Sequence, residues 1–124
     1  MRPYPDAPTF ITRDVYCRCG IYYILNTFNN CIYVGMTKNI QARWCTHIQT
    51  LNKGKHYNKP LQVDWDTFGS WRFEFGVLLF ERANISENNL RVIEKSFIKT
   101  YRSYDPIYGY NDPRVTQQNT TPGA

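Results

Sequence analysis

The chain has 124 residues, enough for one domain with a single modest core, and its 42% apolar and 20% charged residues match a soluble globular protein. No stretch approaches the ~20 apolar residues of a membrane span, and Met1-Arg2-Pro3-Tyr4-Pro5-Asp6 lacks the apolar core of a secretory signal, so an intracellular, cytoplasmic protein without a membrane partner is expected. A formal charge of +5 suits a polyanionic partner, because basic groups that displace phosphate counterions supply most non-specific nucleic-acid affinity.

Residues 1–19 carry three prolines and no periodicity, and read as an N-terminal arm. From Gly20 to Asn26 the run is β-branched and aromatic, which predicts a strand. Asn29-Asn30 turns the chain, and Cys31 to Gly35 returns as the second strand of a hairpin. Ile40, Trp44, Ile48 and Leu51 recur at helical spacing, so a helix is expected from about Asn39 to Asn52. Lys53-Gly54-Lys55 breaks it, and Pro60 opens a short helix running through Trp65 towards Gly69. Arg72 to Glu81 reads as a third strand. Ser86 caps a last helix carrying Leu90, Ile93, Phe97, Ile98 and Tyr101. Residues 113–124 are polar and read as a disordered tail. The whole is one α+β domain spanning residues 20–112.

Two helices place polar groups among apolar ones. On the last helix, with Leu90 at zero, Glu94 falls near about +40°, inside the arc of roughly −60° to +80° that holds Ile93, Phe97, Ile98 and Tyr101. Arg91, Lys95, Lys99 and Arg102 cluster elsewhere. On the first helix His47 and Arg43 continue the inward stripe, one turn apart. A core-facing carboxylate is costly unless it is paired or holds a cation. Together these groups suit phosphodiester hydrolysis: a carboxylate for a hard divalent ion, an arginine fork for phosphate oxygens, and a histidine or hairpin tyrosine to activate water. The residues alone leave the bland alternative, a buried ion pair, open. Cys17-x-Cys19 with Cys45 and His47 matches no common zinc-finger spacing. The four cysteines are expected as free thiols.

Gly20-Ile21-Tyr22 and Tyr33-Val34-Gly35, separated by ten residues, resemble the signature elements of the GIY-YIG nuclease superfamily. Met36-Thr37, Arg43-Trp44, His47, His56, Leu61-Gln62, Phe73-Glu74, Glu94 and Gly109-Tyr110-Asn111 follow in an order similar to the catalytic domain of phage intron-encoded homing endonucleases. The resemblance implies a small three-stranded antiparallel sheet flanked by helices. It implies DNA as substrate and one divalent metal, magnesium or alternatively manganese. It also implies roles: Tyr22 as general base, Tyr33 as second active-site tyrosine, Arg43 on phosphate, Glu94 on the metal and Asn111 as support. His47 would help Tyr22 lose its proton, and His56 matches a further histidine of the homing enzymes. Lys53, Lys55, Lys59, Arg91 and Lys95 are candidate DNA contacts. A monomer is expected, with a dimer on DNA as the alternative. Against a homing-type or freestanding phage-like nuclease stand a restriction or structure-selective repair nuclease, and a DNA-binding module that does not cleave.

Overall fold

The computed structural model describes residues 18–81 and 85–114. Three strands, β1 (Cys19–Asn26), β2 (Ile32–Thr37) and β3 (Phe73–Glu81), form one antiparallel sheet in the order β2-β1-β3. Helices α1 (Ile40–Asn52) and α2 (Lys59–Phe68) lie between β2 and β3 in sequence, and α3 (Glu87–Tyr101) follows β3. This is the expected sheet with flanking helices. The first strand starts at Cys19, one residue into the segment read as an arm; residues 1–17, Cys17 among them, and 115–124 of the expected tail lie outside the described residues.

Why β1 is central is visible in its side chains. Tyr22 and Ile24 point to one face and pack with Phe75 of β3 and with Ile40, Ile48, Leu51, Leu61 and Trp65, the apolar stripes of α1 and α2. Cys19 and Ile21 point to the other and meet Val34, Leu90 and Ile98, the stripe of α3. A strand covered on both faces needs apolar residues at successive positions rather than alternate ones, and Gly20 to Leu25 supplies them. Full burial of a side chain such as Leu90 or Ile98 contributes about 1.5–3 kcal/mol.

Helix starts follow their capping residues. Asn39 accepts from the Ala42 N–H, Asn58 from Leu61 with proline in the first turn, and Ser86 from Asn89. Arg102 ends α3 in the left-handed conformation, with φ 56°. The β1–β3 ladder shifts register between Ile21 and Tyr22, a bulge that bends the sheet beside the two tyrosines of β1.

One feature has no counterpart in the sequence-based expectations. The segment after α3 returns along the outer edge of β2, where Ile32 and Gly109 form a parallel bridge. Ile32 N–H donates to Tyr108 O at 3.1 Å, and Val34 N–H to the Asn111 side-chain oxygen at 2.9 Å. Further along that edge the Glu94 carboxylate of α3 lies beside Met36. Two outward amides of this edge strand, from Ile32 and Val34, are thereby occupied, which disfavours pairing with another chain there. No helix among the described residues is long and apolar enough to cross a membrane.

Candidate active site

The hairpin motif is built around the Tyr22 ring. Tyr22 lies opposite Gly35 on β2, and a Cβ at that position would collide with its ring and hydroxyl. Gly35 therefore keeps a flat space for the tyrosine to lie across its neighbouring strand. Gly20 solves a different problem. A Cβ there would run into the backbone at Leu79 and Phe80, where the bulge brings β3 close. The first and last glycines of the two signature elements are thus steric requirements, and Tyr22 and Tyr33 are the polar groups they expose to one another.

Around Tyr22 the side chains converge. Its hydroxyl lies 2.7 Å from His47 Nε2 on α1. The Tyr33 ring is 6.3 Å from that of Tyr22 and 5.5 Å from His47, and its hydroxyl meets that of Tyr57 at 2.6 Å. His47 Nδ1 in turn lies 2.7 Å from His56 Nε2. His56, in the loop between α1 and α2, is held by its own N–H to Gln62 Oε1 and by the Asn58 N–H on its Nδ1, each at 3.0 Å. Gln62 fixes this loop to α1 through a 2.9 Å bond to Leu51 O. Tyr57 stacks on His56 at 4.5 Å and is 67% exposed, an aromatic face open to a partner.

The electrostatics follow from burial. Tyr22, only 2% exposed, has its phenol pushed well above the ordinary range by desolvation, with Arg43 and a hydrogen bond from Tyr33 pulling down. Tyr33 is raised likewise by burial and by Tyr22. His47 is pushed down to about 3, first by burial and then by the charges of His56 and Arg43, and His56 is lowered mainly by burial. Both rings are neutral at physiological pH. Glu94 is half-buried and its carboxyl is raised by desolvation, against Arg91, the Met36 N–H and Lys95.

The histidines carry a stability consequence. In the unfolded chain His47 titrates near its ordinary value, so between the two values the unfolded state binds more protons. Its contribution is complete above about pH 6.5 and is lost as pH falls towards 3, at up to about 1.4 kcal/mol per pH unit. Urea midpoints of wild type and His47→Gln should therefore converge as pH falls below 6. Parallel profiles would show that His47 is not buried neutral. Carboxylates common to both proteins cancel in the comparison.

Tyr22, Tyr33, His47 and His56 come together, and the other expected residues lie around them. Arg43 was expected on the inward stripe but is exposed at the rim, sensed by both Tyr22 and His47 and open to a phosphate. Glu94 lies beside β2's edge, where the apolar arc of α3 meets the strand end, and its charge is felt at Tyr22 and Tyr33. Asn111 faces Val34: its amide accepts from the Val34 N–H and donates to the Val34 carbonyl at 2.8 Å, holding the second signature element in place. Of the candidate DNA contacts, Lys53, Lys55 and Lys59 are exposed around the His56 loop. Arg91 is engaged by Glu87 at 3.1 Å, and Lys95 is half-buried near Glu94. Asn58, Gln62 and Tyr57 had no assigned role. Asn58-Lys59-Pro60 is a legible cap, but its grip on His56 requires the loop's fold.

A divalent metal is the ion this chemistry would use. Among the described residues no group of three or more His, Cys, Asp or Glu surrounds one point, and Glu94 is the carboxylate whose charge reaches Tyr22 and Tyr33. That fits magnesium, which keeps several waters and takes one or two carboxylates. His47 has both ring nitrogens engaged by Tyr22 and His56, which removes it from any zinc set.

Residues 18–111 match the family described as the GIY-YIG catalytic domain. The chain is 36% identical over 103 residues to intron-associated endonuclease 1 of Enterobacteria phage T4, covering 83% of this chain and 40% of that protein. It is 30% identical over 94 residues to a probable intron-encoded endonuclease 1 of Neurospora crassa, covering 73% and 29%. It therefore spans less than half the length of these curated relatives. Among solved structures, the catalytic domain of homing endonuclease I-TevI superimposes with a TM-score of 0.68 at 35% identity, over 77% of this chain and 98% of that one.

Proposed function

Since this chain belongs to the GIY-YIG catalytic-domain family, we propose that it is a DNA endonuclease, of the homing or freestanding phage-like kind, acting through Tyr22. The observation that carries the reading is the meeting of Tyr22, Tyr33 and His47 beside Gly35, within reach of the charges of Arg43 and Glu94. Intron endonucleases as relatives favour the homing kind over restriction or repair. A non-cleaving module would have no need to hold a desolvated carboxylate beside a buried phenol.

In this reading the Tyr22 phenolate takes a proton from water as the water oxygen bonds to phosphorus, and the bond to the leaving sugar oxygen breaks with its electron pair. Arg43 offers a permanent, planar charge to the phosphate oxygens where negative charge develops. Glu94 would hold the divalent ion, magnesium or manganese, which supplies charge neutralisation at the phosphate and leaving oxygen when bound. Lys53, Lys55 and Lys59 position the DNA backbone and carry no sequence information. The domain acts as a monomer.

Supercoiled plasmid incubated with magnesium is expected to be nicked or linearised, and excess EDTA should abolish the product. Binding by gel shift without cleavage under either condition would favour the binding module. Cleavage untouched by EDTA would remove the metal from the scheme.

A further inference from the structure

We propose that a one-way hydrogen-bond chain, beginning at the Asn58 backbone N–H and passing through His56 and His47, makes His47 a donor to the Tyr22 oxygen rather than the acceptor of its proton. The direction is set at one end by a group that cannot reverse. A main-chain N–H only donates, and Asn58 N–H points at His56 Nδ1 from 3.0 Å. His56 Nδ1 must then be bare.

A neutral imidazole carries a single N–H, so that of His56 sits on Nε2, which faces His47 Nδ1 at 2.7 Å with the two ring planes within 20°. His47 Nδ1 therefore accepts. Its own proton is left on Nε2, 2.7 Å from the Tyr22 hydroxyl oxygen. Charging either ring is opposed by the same contacts. A second proton on His47 would set two N–H groups against each other across the His47–His56 gap, and one on His56 would oppose Asn58. Burial of both rings acts in the same sense.

The catalytic meaning rests on the function proposed above. With His47 donating, the Tyr22 proton must point away from His47. When that proton is lost to solvent, the phenolate keeps a neutral N–H donor on its oxygen, and no cation is created in the core. His47 stabilises the base by orientation without storing the proton. His56, with Asn58 and the Gln62 bond that holds its loop, is a positioning residue: it touches no reacting atom but selects the tautomer of the ring that does contact the base.

Two-bond proton–nitrogen correlation spectra of the ¹⁵N-labelled chain at neutral pH, without DNA or metal, read the tautomers directly. Both His47 and His56 should show a protonated Nε2 and a bare Nδ1. A protonated Nδ1 on either ring overturns the proposal, whatever the protein does to DNA. Two variants extend the test to activity. His56→Gln keeps an N–H donor towards His47, whereas His56→Glu offers only acceptor oxygens and should flip His47 to the Nδ1–H form, in which its Nε2 accepts from Tyr22. Plasmid cleavage should be slower in His56→Glu than in His56→Gln by about 10-fold or more, with the flipped tautomer visible in the spectrum. Equal rates for two folded variants with opposite His47 tautomers would remove the donor role. If wild type cleaves nothing, the nuclease reading fails while the spectra still decide the chain of bonds.

Discussion

Tyr22→Phe is expected to slow plasmid cleavage by about 10³-fold, in the middle of the range for loss of a general base. The substitution removes one oxygen and leaves the ring that fills the space over Gly35. Packing is retained, but the His47 Nε2–H loses its acceptor in the core, which costs about 1–3 kcal/mol. The variant should thus fold, melt somewhat earlier and bind DNA as well as wild type. Tyr33→Phe is a useful companion, because its hydroxyl is shared with Tyr57 rather than with a histidine. A Tyr22→Phe protein cleaving within about ten-fold of wild type would move the base elsewhere.

Glu94→Gln should abolish magnesium-dependent cleavage, by about 10³-fold or more, while leaving stability at neutral pH unchanged or slightly higher. The two effects have one cause. Burial raises the Glu94 carboxyl above its ordinary value, so the ionised form present at neutral pH is disfavoured by the fold. A group with a raised folded value weakens the fold once pH exceeds that value, and the amide removes the penalty. Glutamine has nearly the same shape, so the packing beside Met36 is kept. A variant that is inactive because it is unfolded would show a lowered midpoint, which separates misfolding from loss of the metal. Full activity in a folded Glu94→Gln protein would exclude this carboxylate as the ligand.

What the sequence disclosed and what it withheld divide along physical lines. Strands, helices and the hairpin follow from local periodicity and capping residues, so they were readable. Glu94 and His47 were also readable, because a polar group within an apolar arc is conspicuous on a helical wheel. Arg43 lies shallower than the wheel implies: its angle is at the margin of the stripe, and its side chain is exposed. The grip of Asn58 on His56, and of Gln62 on the same loop, depends on how residues 53–58 fold over α1, which no periodicity records. Asn111 was matched by resemblance as a supporting residue, but its two bonds to Val34 appear only when the segment beyond α3 is laid against β2.

The central strand carries two tyrosines side by side, and each has a glycine across the ladder. Tyr22 lies over Gly35 on β2, and Tyr23 lies over Gly76 on β3, where a Cβ would meet its ring. The rings emerge on opposite faces and lean towards opposite neighbours. This arrangement ties the native register to two residue pairs. A slip of one residue would set Tyr22 against Val34 or Met36, and Tyr23 against Phe75 or Val77, and would exchange the inward and outward faces of the strand. The native register is thus the one in which both rings can lie flat across a neighbouring glycine, and the residue proposed as the base also helps to set the register of the sheet that holds it.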